Sequence, residues 1–259
     1  MTLISLTQDG HVGTIALNNP KKHNALSHQL VTEVIVALKT LGEASTRAVI
    51  LQAQPGSKVW SAGHDIGELP EDGRDPLGWN DPLRELVRTI ETFPCPVIAM
   101  IDGGVWGGAV EVVLACDIII ATPGSTFAVT PAKLGVPYNV SGMMTFMSAA
   151  SLRIVKELAF TATPISATRA EHVGMINHVI EPQELEAFTH AMAATIAANA
   201  PLSISVMKEQ LRVLAGAKPL TPRGFEKVQG LRRVVYDSQD YHEGIQAFKE
   251  KRKPRFTGN

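Results

Sequence analysis

A glycine-rich segment is the first place where this sequence could do chemistry. Residues 103–117 read GGVWGGAVEVVLACD, with four glycines in six positions ahead of an apolar helix that carries one glutamate, Glu111. Glycines let the backbone turn sharply and let a ligand approach the amides, and the first N–H groups of a helix have no intrahelical partner. The spacing fits neither a dinucleotide fingerprint nor a P-loop. The segment therefore suits a developing oxyanion better than a bound pyrophosphate, with close helix–strand packing as the alternative explanation.

A second small-residue turn, SAGHDI (61–66), follows a predicted short strand. It places the backbone amide of His64 at the end of that strand. The imidazole of His64 would need a partner to act as a general base, and the sequence does not show one. A purely structural histidine is the alternative, and Asp65 is equally suited to capping the next turn.

The composition excludes several classes of protein. The 259 residues include 24 Lys and Arg against 25 Asp and Glu, so no basic excess indicates nucleic-acid binding. The two cysteines belong to no Cys/His cluster, which predicts neither a disulfide framework nor a metal site. We expect no signal peptide, because the first ten residues have neither a charged start nor a long apolar core. We also expect no membrane span, because Glu111 and Asp117 interrupt the apolar run at 105–120. The sequence predicts a cytoplasmic protein.

The elements that must position these turns follow an α/β pattern. Strand, turn and helix recur up to about residue 122, and the pattern becomes mostly helical beyond residue 148, which predicts an α/β core with a helical C-terminal part. Predicted strands cover 11–18, 48–53, 96–102, 117–121 and 175–180. Predicted helices follow Ser27 and Asp81, cover 182–199, 201–215 and 225–236, and end with one capped by Ser238. Residues 68–82 are predicted to form a long surface loop.

Four stretches together resemble the crotonase superfamily, which includes the enoyl-CoA hydratases and isomerases. They are NALS (24–27), SAGHDI (61–66), GGVWGGAVEVVLACD (103–117) and STFAVTPAKLGV (125–136). The resemblance implies an α/β spiral of ββα units over residues 1–195 and a helical trimerisation region over 196–259. It also implies acyl-CoA substrates and a homo-oligomer, either a trimer or a dimer of trimers.

The same resemblance assigns roles to individual residues. The backbone N–H groups of His64 and Gly108 would form an oxyanion hole for the thioester oxygen, and such donors are typically worth ~2.7–4 kcal/mol of barrier each. The CoA substrate would also be contacted by Ala62, Gly63, Asp65, Ile66, Thr130 and Lys251.

The sequence departs from the hydratases at two positions. The resemblance implies that hydratases of this family use two glutamates for catalysis. In this sequence Glu111 stands at the first of these positions, and Pro131 stands at the second. The family's next glycine-rich turn becomes GVPYNVSG (135–142), with Tyr138 in place of a glycine. Both changes favour loss of CO2 from a malonyl-type thioester over addition of water. A neutral Tyr138 could orient the departing carboxylate, or it could simply pack at the pocket rim.

A closer resemblance, to decarboxylating members of the superfamily, supports that chemistry. It rests on SAGHDIGELPEDGRDP (61–76), NDPLR (80–84), TPAKLGVPYN (130–139) and YDSQDYHEGIQAFKEKRKP (236–254). It implies a methylmalonyl thioester as substrate, with His64, Gly108 and Tyr138 at the active site and no metal or organic cofactor. Lys251 would reach a CoA phosphate, from this or a neighbouring subunit.

Glu111 itself stays ambiguous at this level. A glutamate in an apolar helix must be paired or protonated, and we expect Arg84 to pair with it and to silence it as a base. Two alternatives remain open: a hydratase or isomerase that uses Glu111 alone, and a non-catalytic acyl-CoA-binding protein.

Overall fold

Two β-sheets organise the chain in a computed structural model, which describes residues 2–69, 78, 81–215, 226, 230, 233 and 235–257. The strands are β1 Ile4–Asp9, β2 Val12–Leu17, β3 Ala48–Ala53, β4 Val59–Ser61, β5 Val97–Ile101, β6 Gly104–Trp106, β7 Ile118–Ala121, β8 Thr126–Ala128, β9 Ile165–Ser166 and β10 His178–Val179. One sheet has the order β1-β2-β3-β5-β7-β10 and the other the order β4-β6-β8-β9. The first strand of the larger sheet and the last of the smaller are antiparallel to their neighbours, and all other pairs are parallel.

Helices connect the parallel strands, because a parallel pair needs a long crossover connection. They are α1 His28–Glu43, α2 Pro82–Glu91, α3 Gly108–Leu114, α4 Val140–Ala149, α5 Leu152–Thr161, α6 Ala167–His172, α7 Pro182–Ala198, α8 Pro201–Ala215 and α9 Gln239–Lys249. Short 3-10 turns cover Pro20–Lys22, Ile66–Glu68 and Pro131–Leu134. The predicted caps are present, since Ser27, Asp81 and Ser238 each accept a backbone N–H in the first turn of α1, α2 and α9.

The larger sheet is covered on both faces, as its β3 strand illustrates. Successive side chains of a strand point to opposite faces. Val49 and Leu51 therefore enter the main core, whereas Ala48 and Ile50 enter a smaller cluster that packs under α7. All four are buried, which explains why this strand reads as a continuous apolar run.

The α/β spiral class is confirmed, with several differences in detail. Strand β6 was not predicted, because a three-residue strand beginning with glycine has little β propensity of its own; pairing with β4 and β8 creates it. The last predicted strand shortens to β10. Helix α7 runs through position 195, and the division into 1–195 and 196–259 stays a prediction.

Two predicted segments, the loop at 68–82 and the helix at 225–236, fall largely outside the described residues. Among the helices that the structure describes, none has the length and apolar character needed to cross a bilayer.

Candidate active site

The two predicted oxyanion donors lie at one edge of the smaller sheet. Strand β4 ends at Ser61, three residues before His64, and β6 ends at Trp106, two residues before Gly108. Since β4 and β6 are neighbours and parallel, their carboxyl ends open at the same edge. The topology therefore brings the two turns together, although they are more than 40 residues apart in sequence.

Glycines let the two turns approach each other closely. Gly63 has a φ of 87° and Gly107 a φ of 55°, in the left-handed region that glycine alone adopts readily. A Cβ atom built on Gly63 would lie 2.8 Å from the backbone nitrogen of Gly108. Within the described part of the chain, neither the His64 N–H nor the Gly108 N–H donates a hydrogen bond to another protein group. Both donors are thus available to a ligand.

The NALS stretch holds the first of these turns in place. Buried Asn24 donates to the Trp60 carbonyl (3.0 Å) and accepts from the Ser61 hydroxyl through its own carbonyl (2.7 Å). The Leu26 N–H donates to the Gly63 carbonyl at 2.7 Å. The resemblance motif at 24–27 therefore has a physical task, which is to fix the backbone that presents the His64 amide.

A narrow cavity of about 60 Å³ lies beside these amides. Its described lining includes six predicted site residues: Ala62, His64, Ile66, Gly108, Thr130 and Tyr138. The rest of the described lining is Gly107 of the glycine-rich turn and five apolar residues: Leu69, Leu83, Pro131, Leu134 and Val136. Of these five, only Pro131 was singled out from the sequence. The lining contains no Asp or Glu among the described residues, and its size suits a small acyl group rather than a drug-sized ligand, for which pockets run to ~300–1,000 Å³.

Tyr138 reaches the oxyanion turn directly. Its hydroxyl donates to the carbonyl of Gly107 at 2.8 Å, and its ring packs edge-on against Phe146 with centroids 4.9 Å apart. Burial raises the pKa of the phenol well above its usual value, and the nearby Arg84 guanidinium only partly offsets this. Tyr138 is therefore a neutral hydrogen-bond donor across the physiological range.

The predicted contact between Arg84 and Glu111 is present. Both side chains are buried, and Nη1 of Arg84 donates to Oε1 of Glu111. The other oxygen, Oε2, has no hydrogen-bond partner among the described residues. Since a buried charge needs a partner, Arg84 satisfies the one carboxylate that the family motif retains. Pro131 opens a 3-10 turn and lines the cavity where the second would stand.

The imidazole of His64 contacts two neighbouring oxygen atoms, one from Asp65 and one from Asp81. Nδ1 lies 3.1 Å from the carbonyl oxygen of Asp65, and Nε2 lies 3.5 Å from Oδ2 of Asp81. Burial alone would lower the pKa of His64, but the Asp81 carboxylate and the Asp65 carbonyl raise it above the usual value. The sequence identified Asp81 only as a helix cap, because nothing in its spacing indicates a contact with a histidine 17 residues away.

Three remaining predicted residues lie outside the cavity lining. Gly63 shapes the turn, and Asp65 caps the following 3-10 turn and pairs with Lys22 at 2.8 Å. Lys251 follows α9, is exposed, and adopts a left-handed φ of 54°. No group of three or more His, Cys, Asp or Glu side chains in the described ranges could hold a metal ion.

The fold and the paired turns define a class. The family model for "Enoyl-CoA hydratase/isomerase" matches residues 7–259, and this chain belongs to that family.

Within the family, the chain is similar to methylmalonyl-CoA decarboxylase of Escherichia coli, with 52% identity over 248 residues that cover 96% of this chain and 95% of the relative. A putative enoyl-CoA hydratase of Thermus thermophilus is 30% identical over 258 residues, 96% of this chain and 98% of that protein. The solved structure of methylmalonyl-CoA decarboxylase in complex with 2-nitronate-propionyl-CoA superposes with a TM-score of 0.98 at 50% identity, covering 99% of each chain.

Proposed function

We propose that this protein is a carboxy-lyase that converts methylmalonyl-CoA, or a similar malonyl thioester, to propionyl-CoA through a thioester enolate. One observation supports the proposal: His64 and Gly108, whose amides have no partner among the described residues, both line a cavity whose described lining has no carboxylate. Such a site stabilises an enolate but offers no base to activate water. The similarity to methylmalonyl-CoA decarboxylase supports the same substrate class.

The reaction divides into two steps. In the first, the bond between the α-carbon and the carboxylate breaks, its electron pair moves into the thioester, and CO2 leaves. The negative charge that develops on the thioester oxygen is stabilised by the N–H groups of His64 and Gly108. In the second step the α-carbon of the enolate takes a proton, from water or from an acid that we do not assign, and propionyl-CoA results. Preorganised donors of this kind account for a large part of the rate in many enzymes.

The carboxylate must stand roughly perpendicular to the thioester plane, so that the breaking bond overlaps the carbonyl π system. Tyr138 and Thr130 supply the hydroxyl groups of the described lining. In the free protein, the single hydroxyl proton of Tyr138 is donated to the Gly107 carbonyl. We propose that the neutral hydroxyl turns from this carbonyl to the carboxylate when the substrate binds, and so orients it. The apolar walls of the cavity exclude water from the carboxylate. Hydration would otherwise stabilise the substrate carboxylate more than the departing CO2, so its exclusion favours decarboxylation.

Hydration is disfavoured because neither of the two glutamate positions of the family motif supplies a free base. Glu111 is held by Arg84, so that its first oxygen is committed to an ion pair. Pro131 has no proton to give or take. A site that lacks both carboxylates as free bases favours the reaction in which none is needed.

The remaining assignments extend the proposal. CoA is part of the substrate, and the reaction uses no metal or organic cofactor because the amides carry the charge. Lys251 is proposed to reach a CoA phosphate, in the same or a neighbouring subunit.

A homo-oligomer is supported by α8, which exposes several large apolar side chains in the single chain: Leu202, Val206, Met207, Leu211 and Leu214. A cytoplasmic location agrees with two buried free thiols, Cys95 and Cys116.

Two parallel incubations test the function. The purified protein is supplied with methylmalonyl-CoA and, separately, with crotonyl-CoA, and the CoA products are separated by liquid chromatography. We expect propionyl-CoA from the first and no hydration of the second. Hydrated crotonyl-CoA without propionyl-CoA would instead identify a hydratase, and no turnover of either would identify an acyl-CoA-binding protein.

A further inference from the structure

Asp81 links the turn that carries the His64 amide to helix α2, which packs against the other oxyanion donor, Gly108. Its Oδ1 accepts the Leu83 N–H at 2.9 Å and so caps α2, while its Oδ2 lies 3.5 Å from Nε2 of His64. The carboxylate is largely buried, with 11% of the side chain exposed. A cap needs only one oxygen, so the second contact is additional to the task of starting a helix.

The first turn of α2 contacts the other donor in turn. A Cβ built on Gly108 would lie 2.7 Å from Cδ2 of Leu83, so this leucine packs directly on the glycine. One residue further, Arg84 holds Glu111, which lies in the same short helix as Gly108. The chain of contacts thus runs from His64 through Asp81 and the start of α2 to Gly108.

We propose that Asp81 is a positioning residue that fixes the separation of the two oxyanion donors by tying the His64 turn to the first turn of α2. The inference rests on the proposed function, because it assigns Asp81 to the enolate site described above. Asp81 does not line the cavity with the amides, and it acts through His64 and Leu83.

The link depends on the charge of the imidazole. Among the described residues, the groups that act on His64 are Asp81 from α2 and Asp65 and Glu68 from its own turn, and Lys22 pairs with Asp65. His28, at the start of α1, lines the same pocket as His64. Since the pKa of His64 is raised in the folded protein, the imidazolium–carboxylate link is complete below the unfolded pKa of ~6.5 and is lost as the pH rises through the folded value. We therefore expect kcat to fall as the pH rises through the folded pKa of His64, which gives the pH profile of kcat an alkaline limb.

Asp81→Asn separates the two contacts of this residue. Asparagine caps helices as well as aspartate does, so the Tm should stay close to that of the wild type, whereas the charge facing His64 is lost. We expect kcat for methylmalonyl-CoA to fall on the order of tenfold to a hundredfold with little change in KM, since misplacement by ~1 Å can cost 10²-fold. The alkaline limb should move to lower pH. Ser166→Ala, which removes the cap of α6, should lower the Tm without moving the limb.

A double-mutant cycle tests the route through the imidazole. His64→Gln keeps the backbone amide but removes the partner of Asp81, so Asp81→Asn should have little further effect on kcat in that background. Additive effects, or a wild-type kcat and pH limb in Asp81→Asn, would overturn the proposal.

A measurement without turnover separates this inference from the proposed function. Proton NMR titration of His64, identified by the signal missing from His64→Gln, should give a pKa above ~6.5 in the wild type and a lower one in Asp81→Asn. If the wild type releases no CO2, the proposed function fails, and this titration still decides the His64–Asp81 link. An unchanged pKa in Asp81→Asn contradicts that link even in an active enzyme.

Discussion

Gly63→Ala tests the account at the point where the two oxyanion turns touch. Gly63 has a φ of 87°, and a Cβ placed there would lie 2.8 Å from the Gly108 nitrogen and closer still to the carbonyl oxygen of Trp106. Ordinary van der Waals contact begins at 3.4 Å. The methyl group therefore has to push the Gly108 amide away by about half an ångström or more.

The size of the effect follows from that displacement. Loss of one oxyanion donor costs ~2.7–4 kcal/mol of barrier, or about 10²–10³ in kcat. A displacement of around half an ångström weakens the donor rather than abolishing it, so we expect a smaller fall in kcat, on the order of tenfold to 10²-fold. The left-handed backbone adds a separate cost to stability of ~1–2 kcal/mol, because alanine tolerates this φ poorly.

Gly56→Ala is the matched control. Gly56 has a nearly equal φ of 82°, but a Cβ there meets no described atom within 4 Å. Both variants should lose a similar amount of stability from backbone strain, with the clash adding to the loss only at Gly63. The assay is formation of propionyl-CoA from methylmalonyl-CoA at saturating substrate, with unfolding followed by circular dichroism.

The comparison of the two variants decides the question. A Gly63→Ala protein that is folded and keeps kcat within about threefold of the wild type would refute the claim that the Gly108 amide carries the enolate. Equal losses of kcat in both variants would also count against it, because the effect would then come from general strain.

Three further predictions address the site, the buried ion pair beside it and the C-terminal helix α9. Tyr138→Phe should lower kcat about tenfold or more, because the carboxylate loses an orienting donor. The Kd for propionyl-CoA, measured by calorimetry, should stay within about threefold of the wild-type value. Full activity would remove Tyr138 from the mechanism. Arg84→Ala should lower the free energy of unfolding by ~3–5 kcal/mol in urea, since it leaves Glu111 buried without its partner; a loss below ~1 kcal/mol, or an unmoved pKa of Glu111, would reject that pairing. Hydrogen bonds from the Arg252 side chain and the Arg255 N–H lower the pKa of Glu243 to about 2. This carboxylate's contribution to stability is therefore present above its unfolded pKa and is lost as the pH falls towards 2. The free energy of unfolding of Glu243→Gln should fall less steeply than that of the wild type over this acid range, and identical pH dependences would contradict the prediction.

Much of the site could be predicted because its signals are local. The glycines at 63 and 108 and the small residues around them are required by close backbone approach, which only a few residue types permit. Pro131 and Tyr138 stand out because their chemistry differs from what the family motif has there. The Arg84–Glu111 pair was predictable from the cost of burying one charge alone.

What the sequence could not show depends on distant contacts. Strand β6 forms only because β4 and β8 lie on either side of it. The contact between His64 and Asp81 depends on where the N-terminus of α2 meets the β4 turn, and neither local propensity nor spacing encodes that meeting. The apolar wall supplied by Leu83 and Val136 was missed for the same reason, since any buried aliphatic residue looks alike in sequence.

The central claim is that the amides of His64 and Gly108 polarise the thioester oxygen of the substrate. Isotope-edited infrared spectroscopy of bound propionyl-CoA, labelled with ¹³C at the carbonyl carbon, reads this directly. The account predicts that the carbonyl stretch moves to lower frequency on binding to the wild type and moves less in Gly63→Ala. A stretch at the same frequency as in free propionyl-CoA, with binding independently established, would contradict it.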